Sequence, residues 1–405
     1  MKAKEARETL QEAVKNPKLV SSNKYIDARL SYPDLYAVVF QVGPKCNLSC
    51  AHCYGSYGPD REGVPKIPVV KRVLQQSLEL GMSHLTLTDG EPMMPENIGL
   101  MKLVSESSDR FPAQIITNGK FAENIESARD WMSFLKESGF DLRSRGNMIR
   151  VSAGQTYNIS SETYANLVKA ASEVYGGISF DNHLGFYFLE IDQPKKDRKC
   201  LVNLMKAVDS VLAPKTESVL KVVKDDRNER TRVYAYYPVK GKKGFVPFIT
   251  MKCVSEGRAQ GIPSVVDTNP SMPVDVEGIG FNPNRDMSLC VDYKGNVGFG
   301  IAQASLFGKG VYGNIMSEKL LEIMTNIFRD PIYQANHLGG VRFLYHLAQE
   351  ENPQFRISAV QYLDFSQSLF EKRELIESVR KKIRKMKLIP AYKDYLRQRG
   401  IPKLG

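Results

Sequence analysis

Long apolar runs are absent from the 405-residue sequence. None approaches the ~20 residues that a helix needs to span a bilayer, so the sequence predicts no membrane-embedded segment and no membrane partner. Residues 1–20 alternate charged and apolar side chains and lack the apolar core of a secretory signal peptide. With 42% apolar and 25% charged residues, the composition excludes a disordered or fibrous chain. These features predict a globular protein of the cytoplasm.

Cysteine is scarce and unevenly distributed. The chain has six cysteines, and three of them fall within the eight residues from Cys46 to Cys53. Clustered cysteines in a cytosolic protein are typical of metal ligands, because disulfides form mainly in oxidising compartments. The other three are far apart in the sequence, at Cys200, Cys253 and Cys290. An isolated cysteine is usually a small buried apolar residue.

Acidic residues are few at the C-terminus. The net charge is +11, and residues 371–405 contain twelve Lys or Arg residues against four Asp or Glu residues. Such a segment can bind RNA, an acidic partner or a membrane surface, and RNA is kept as a partner for this basic tail. The favoured alternative is a helix with its basic face toward water. Only Tyr392 and Tyr395 are aromatic here, so no platform for stacking bases is evident.

Strand-like and helix-like segments alternate from residue 36 to residue 223. Strands are predicted at 36–42, 84–88, 114–117, 148–152, 184–191 and 219–223, with helices at 69–80, 97–107, 125–137, 162–175 and 200–212. Alternation of this kind predicts βαβ units, a parallel sheet and an α/β fold. About six units fit a complete or partial (β/α) barrel better than an open sheet.

The alternation ends after Lys224. An aromatic strand is predicted at 234–237, a Lys/Gly turn at 240–244, and a hairpin at 289–299 that turns at Lys294-Gly295-Asn296. Proline, glycine and asparagine are dense from 261 to 284, which indicates a linker or surface loop. The predicted organisation is an N-terminal helical segment (1–30), a barrel (31–260), a small α+β extension (261–335) and a helical basic tail (336–405).

The motif Cys46-x-x-x-Cys50-x-x-Cys53 directly follows the first predicted strand. Thiolates suit zinc or an iron–sulfur cluster, and three protein ligands leave one coordination position open. The alternative is a structural zinc site completed by His52 or a distant cysteine, in a protein that serves only for interaction. Structural zinc sites usually contain two paired motifs, and no second pair is present.

This motif, in the loop after the first strand of a βα repeat, resembles that of the radical S-adenosylmethionine (SAM) enzymes. Two further segments occur in the order that this family requires, Asp89-Gly90-Glu91-Pro92 and Ile115-Ile116-Thr117-Asn118-Gly119. The resemblance implies that Cys46, Cys50 and Cys53 hold three irons of one [4Fe-4S] cluster, while the fourth iron chelates SAM. It also implies a partial (β/α)6 barrel and reductive cleavage of SAM to a 5′-deoxyadenosyl radical that abstracts hydrogen from a substrate. The electron would come from a donor such as flavodoxin or ferredoxin.

The same resemblance assigns residues to the SAM pocket. His52 takes the place of an aromatic residue that faces the adenine, Tyr54 follows it, and Ser152 ends the fourth strand where a polar contact to SAM is common. The remaining residues of the implied pocket are Asp89, Gly90, Glu91, Pro92 and Asn118. Asp89 departs from the family's Gly-Gly-Glu-Pro sequence. Because Gly90 has no side chain, we expect its backbone to approach the ligand closely, so that Gly90→Val would weaken SAM binding and leave the cluster intact.

The C-terminal half resembles the SPASM/twitch-type extension of peptide-modifying members. The similar segments are Gly257-Arg258-Ala259, the hairpin that carries Cys290, and Gly313-Asn314-Ile315. The second hairpin cysteine of those relatives is absent, since the stretch reads Gly298-Phe299-Gly300. We therefore expect a degenerate extension without an auxiliary cluster. Cys290 is a candidate hydrogen-atom donor to the product radical.

The substrate stays open at this stage. The C-terminal resemblance favours a peptide or protein side chain, whereas no evident peptide-binding module precedes the barrel, which favours a small metabolite. The basic tail leaves RNA as a third substrate class.

Overall fold

The computed structural model describes most of the chain. The described residues are 36–53, 55–144, 146–176, 183–190, 194–212, 219–225, 230–239, 242–252, 287–299, 310–355 and 372–385, with the single residues 5, 8, 9, 12 and 369. They belong to two compact units, one formed by residues 39–74 and 84–268 and the other by 1–38, 75–83 and 269–405. Across these described segments, no helix is both long enough and apolar enough to cross a membrane.

Strands and helices alternate along the barrel segment, as the sequence predicts. The strands are β1 (Tyr36–Gln41), β2 (His84–Thr88), β3 (Ala113–Thr117), β4 (Met148–Ala153), β5 (Leu184–Glu190), β6 (Val219–Asp225), β7 (Arg230–Val239) and β8 (Lys242–Lys252). The helices are α1 (Ile67–Glu79), α2 (Ile98–Ser107), α3 (Ile125–Glu137), α4 (Ser161–Tyr175) and α5 (Pro194–Leu212). Helix α5 begins six residues before the predicted start at residue 200.

The strand order of this sheet is β1-β2-β3-β4-β5-β8-β7-β6. Strands β2, β3, β4, β5 and β8 are parallel, and β7 and β6 continue the sheet as antiparallel strands. The α/β fold class with a partial (β/α)6 arrangement is confirmed.

The sequence does not predict β8, and two details of this sheet therefore differ from the prediction. The strand after α5 is β6, but β5 pairs with β8, so β8 is the sixth strand in spatial order. Residues 240–244 were predicted as a turn, whereas β8 already begins at Lys242. Gly244 and Pro247 concealed this strand in the sequence, because both residue types are uncommon in sheets.

The two faces of the sheet differ in burial. On one face, Val151 of β4 and Phe186 of β5 are fully buried, and the Tyr164 ring of α4 packs 5.8 Å from the Phe186 ring. On the other face, Ser152 and Tyr187 face each other across the two strands and are partly exposed. Because the helices of a (β/α) barrel cover its outside, this second face is the inner one.

The second unit contains the predicted hairpin. Strands β9 (Met287–Val291), β10 (Asn296–Phe299) and β11 (Val311–Asn314) are antiparallel neighbours. The Asp292 carboxylate closes the turn by accepting hydrogen bonds from the backbone N–H groups of Lys294 and Asn296, both at 2.9 Å. The turn of the hairpin is therefore built by Asp292 as well as by the predicted Lys294-Gly295-Asn296.

Three helices complete the second unit, α6 (Leu320–Arg329), α7 (Pro331–Glu351) and α8 (Arg373–Lys385). Helix α8 buries Leu375, Ile376, Val379 and Ile383. Two of its basic residues are neutralised within the unit, since Arg380 pairs with Asp330 at 2.7 Å and Lys382 pairs with Glu350 at 3.0 Å. Within 373–385, the basic residues thus belong to an amphipathic helix. The rest of the basic tail, from residue 386, lies outside the described residues.

Candidate functional site

The three clustered cysteines lie in the loop that follows β1. Backbone hydrogen bonds shape this loop: the Cys46 N–H donates to the Gly58 carbonyl at 3.1 Å, and the Gly58 N–H donates to the Pro44 carbonyl at 3.2 Å. The Cys53 N–H donates to the Cys50 carbonyl at 3.1 Å. These bonds close the segment from Pro44 to Gly58, which contains all three cysteines.

The surroundings of the sulfur atoms suit metal-bound thiolates. The backbone N–H of Tyr57 donates to Cys53 Sγ at 3.2 Å, and Asn118 Nδ2 lies 3.8 Å from Cys46 Sγ. Burial raises the pKa of the Cys46 thiol to about 11, so a free thiolate is unfavourable there. A coordinating metal ion deprotonates a thiol outright, which removes this penalty. The donor set therefore fits a thiolate-bound metal centre.

A zinc ion and an iron–sulfur cluster require different arrangements of the sulfur atoms. Among the described residues, no three His, Cys, Asp or Glu side chains are arranged to hold one metal ion. A single zinc ion needs its ligands at one point, within about 2.3 Å for sulfur. In a [4Fe-4S] cluster each thiolate binds a different iron, so the three sulfur atoms need not converge.

The turn after β2 packs against the cysteine loop. Asp89 and Gly90 both have left-handed backbone conformations, with φ of 65° and 56°. A Cβ atom at Gly90 would lie 2.3 Å from the carbonyl oxygens of both Gly43 and Lys45, and the Glu91 N–H donates to the Lys45 carbonyl at 3.1 Å. The backbone of the cysteine loop therefore requires a glycine here, and we no longer expect Gly90→Val to leave the cluster intact; the approach of Gly90 to SAM stays a prediction.

The Glu91 carboxylate connects the turn after β2 with the end of β3. It is buried and accepts hydrogen bonds from Thr117 Oγ1 at 2.6 Å, from the Met93 N–H at 2.9 Å and from the Asn118 N–H at 2.8 Å. Burial raises its pKa to about 7, while these hydrogen bonds favour the charged form. Pro92 is buried beside it. Glu91 thus positions the two strand ends.

Asn118 reaches from the end of β3 to the cysteine loop. Its side-chain amide donates to Asn47 Oδ1 at 2.8 Å, and its Oδ1 accepts from the Lys120 N–H at 2.8 Å. The same Nδ2 is the atom that lies 3.8 Å from Cys46 Sγ. Asn118 is therefore held on both sides and presents a donor to a cysteine sulfur.

The other predicted pocket residues lie at two further positions. His52 is 8% exposed, and its ring packs edge-on against Tyr157, with ring centroids 4.5 Å apart. Tyr157 ends a short 3-10 turn after β4, and sequence reasoning missed it because no local pattern marks this contact. Ser152 is partly exposed on β4, and its backbone carbonyl accepts from Tyr164 Oη at 3.3 Å. Tyr54 lies outside the described residues.

Comparison with known proteins identifies the segment that carries these residues. Residues 40–189 match the Radical SAM superfamily. This segment is a radical SAM domain. It contains the cysteine loop, both strand-end turns and Ser152, so the candidate site lies entirely within the matched part of the chain. Members of the superfamily are enzymes that bind SAM and carry a [4Fe-4S] cluster, and the thiol surroundings described above fit that cluster.

The chain is also similar to individual proteins. It is 28% identical over 109 residues to a 7-carboxy-7-deazaguanine synthase of Clostridium acetobutylicum, covering 26% of this chain and 49% of that protein. The chain thus spans about half the length of this curated relative.

Solved structures with similar folds have low overall scores. They include anSMEcpe with bound AdoMet (TM-score 0.44, 11% identity, 87% of this chain and 99% of that one). Another is Streptococcus suis SuiB bound to the precursor peptide SuiA, with a TM-score of 0.37 and 16% identity, covering 78% of this chain and 71% of that one. A third is BtrN in complex with AdoMet and 2-DOIA, with a TM-score of 0.36 and 15% identity, covering 74% of this chain and 87% of that one. The assignment of the radical SAM domain therefore depends on the superfamily match and the strand order.

Asn118 is expected to tune the cluster. Replacing Asn118 by Ala removes a hydrogen-bond donor near the Cys46 sulfur, and such donors help set the potential of iron–sulfur clusters. We expect the variant to keep its cluster but to have a lower reduction potential, measured by redox titration with EPR detection. Lys120→Ala is the matched control, since its side chain lies on the same turn and pairs with Glu123 instead. An unchanged potential in Asn118→Ala would contradict this role.

Asp89 is expected to make stability depend on pH. Its carboxyl is buried, and burial raises its pKa from 3.8 to about 7. A carboxyl with a raised folded-state pKa contributes full stability below pH ~4 and loses it as pH rises to about 7. Asp89→Asn keeps a residue that tolerates positive φ and removes this titration. The free energy of unfolding of the metal-free variant, relative to wild type, should therefore rise between pH 4 and 7 and then level off. A difference that does not vary with pH would contradict this prediction.

Proposed function

We propose that this chain is a radical SAM enzyme that cleaves SAM reductively at a [4Fe-4S] cluster held by Cys46, Cys50 and Cys53. The observation that carries the proposal is the three-cysteine loop of the radical SAM domain, braced by the turn after β2 and by Asn118 after β3. When bound, the cluster and SAM supply a 5′-deoxyadenosyl radical that abstracts hydrogen from the substrate. The domain's residues bind, orient and enclose these groups.

Different residues of the chain support the cysteine thiolates, hold the turn after β2 and contact SAM in this proposal. Tyr57 and Asn118 place N–H donors beside the cysteine sulfurs, which stabilises thiolates in a buried loop. Gly90 allows the β2 turn to lie directly against the cysteine loop, and Glu91 fixes that turn to β3. The SAM contacts that we propose are those that the family resemblance implies: the backbone of the Asp89–Pro92 turn toward the methionine, and Ser152 toward the ribose or carboxylate.

His52 is proposed to contact the adenine of SAM, with Tyr157 as its support. The two rings are in edge-to-face contact, an arrangement that fixes the orientation of the His52 ring.

A peptide or protein side chain is the proposed substrate class. The support is the C-terminal extension, where the β9–β10 hairpin is followed by the Gly313-Asn314-Ile315 turn and helix α6. The Ile315 N–H donates to the Gly295 carbonyl at 2.8 Å, which joins that turn to the hairpin. A small metabolite is the alternative class, and RNA binding by the tail remains a prediction.

The roles of the remaining cysteines stay predictions. Cys290 lies opposite Gly298 in the β9–β10 pair and is 0% exposed, which is typical of a core residue and unfavourable for direct contact with substrate. Cys200 is partly exposed on α5, and Cys253 lies outside the described residues. We propose one cluster per chain, an electron donor of the flavodoxin or ferredoxin type, and a cytoplasmic location, where thiols stay reduced.

The experiment combines anaerobically reconstituted protein, SAM and dithionite, with 5′-deoxyadenosine measured by mass spectrometry. We expect 5′-deoxyadenosine from the protein alone and more of it when the substrate is present. Adding either the peptide fraction or the metabolite fraction of a cell extract separates the two substrate classes. Stimulation by the metabolite fraction alone would contradict a peptide substrate, and no 5′-deoxyadenosine under any condition would contradict the proposed reaction.

A further inference from the structure

Arg150 is a charged residue on the inner face of the sheet that the proposed function does not use. It lies on β4, two residues before Ser152, and is partly exposed on the same face. Its neighbours in the sequence, Ile149 and Val151, are fully buried on the opposite face. The alternation of β4 therefore directs this one guanidinium toward the inside of the barrel.

The side chain of Arg150 is held in place from one side. Its Nε donates to Met148 Sδ at 3.1 Å, and its Cζ lies 5.2 Å from the centroid of the Tyr187 ring. The latter distance allows a cation–π contact. The residue beside Arg150 on β5 is Gly185, which has no side chain. In this register, no side chain of β5 stands directly opposite Arg150.

Arg150 lacks an anionic partner within the described part of the chain. Several other described arginines are paired with carboxylates, such as Arg129 with Glu173 at 2.7 Å and Arg380 with Asp330 at 2.7 Å. No described Asp or Glu pairs with Arg150, and the acceptor of its hydrogen bond, the thioether sulfur of Met148, is a weak one. A guanidinium presents several N–H groups in a planar fork that matches a carboxylate or a phosphate.

We propose that Arg150 binds a carboxylate or phosphate group of the substrate on the inner face of β4. The inference rests on the proposed function and adds the charge of the substrate to it. SAM also contains a carboxylate, but the expected SAM contact on β4 is Ser152, at the end of the strand. Arg150 lies about 7 Å further along the strand, given ~3.3 Å per residue. The position favours a second ligand that enters the barrel beneath SAM.

The test measures how fast Arg150 reacts with the arginine-selective reagent phenylglyoxal, followed by peptide mapping. Inorganic phosphate and acetate serve as the probes for the two anion classes. We expect one or both to slow the labelling of Arg150 by at least about threefold, because a bound anion occupies the guanidinium. Arg110 is the internal control, since it is exposed and pairs only with its neighbour Asp109. Its labelling rate should not change.

Three results would overturn the proposal. Arg150 could fail to react even without an added anion, which would show that it is closed to ligands. Its labelling could be unaffected by both probes. Finally, SAM alone could protect it while Arg150→Met weakens SAM binding at least tenfold, which would assign the anion to SAM.

The Cys46/Cys50/Cys53→Ala variant separates this proposal from the proposed function. Labelling of Arg150 needs no cluster, so protection by phosphate or acetate should persist in that variant. Protection there, together with wild-type protein that cleaves no SAM, would retain the anion site and reject the enzymatic proposal. Absence of protection, together with normal SAM cleavage, would reject the anion site and retain the enzymatic proposal.

Discussion

Protein in which Cys46, Cys50 and Cys53 are all replaced by Ala is expected to hold no [4Fe-4S] cluster and to cleave no SAM. The reason is that these thiols lie in one closed loop, with N–H donors beside two of the sulfurs. Iron and sulfide analysis after anaerobic reconstitution measures the first effect, and 5′-deoxyadenosine measures the second. Cys200→Ala is the matched control, because Cys200 lies on α5 outside the loop, and it should retain both properties.

About four iron and four sulfide ions per chain in the triple variant would contradict this assignment. The same variant tests for a second cluster, because an auxiliary cluster would survive in it. Iron that remains there, and is lost when Cys253 and Cys290 are also replaced, would show that the extension holds a cluster after all.

Gly90→Val is expected to prevent cluster binding as well as to destabilise the fold. Its Cβ would lie 2.3 Å from the carbonyl oxygens of Gly43 and Lys45, so the cysteine loop must move to admit it. We expect a loss of about 3 kcal/mol or more in the free energy of unfolding, from overpacking combined with an unfavourable φ. Chemical denaturation of the metal-free protein measures the stability, and iron analysis measures the cluster.

Gly176→Val is the matched control for this variant. Gly176 also has a positive φ, of 73°, but a Cβ there meets no atom within 4 Å. It therefore reports backbone strain alone, about 1–2 kcal/mol, and should leave the cluster intact. Equal losses of stability in both variants, or a normal iron content in Gly90→Val, would contradict the close contact between the turn and the loop.

The sequence predicts features that depend on local pattern. The alternation of β1 through α5 follows from hydrophobic periodicity, and the cysteine loop follows from its spacing after a strand. The hairpin at β9 and β10 is likewise marked by a short turn between two apolar runs. In each of these cases, the residues that determine the element are close together in the chain.

The contacts that build the site are not local, and the sequence alone does not reveal them. Asn118 meets the loop of Cys46 only because β3 and β1 belong to one sheet, and Glu91 reaches Thr117 for the same reason. The place of β8 beside β5 depends on an antiparallel excursion through β6 and β7 that no periodicity encodes. The structure adds a role for Asn118 and Glu91 in holding the strand ends and the loop, while their predicted contact with SAM stays a prediction.

The central claim is that SAM binds at an iron–sulfur cluster in the loop after β1. The most direct measurement is the EPR spectrum of the dithionite-reduced, reconstituted protein before and after addition of SAM. The account predicts the signal of one reduced [4Fe-4S] cluster, which changes when SAM is added because an iron without a cysteine ligand is open to it. A cluster signal that SAM leaves unchanged, or zinc in place of iron after anaerobic purification, would contradict the account.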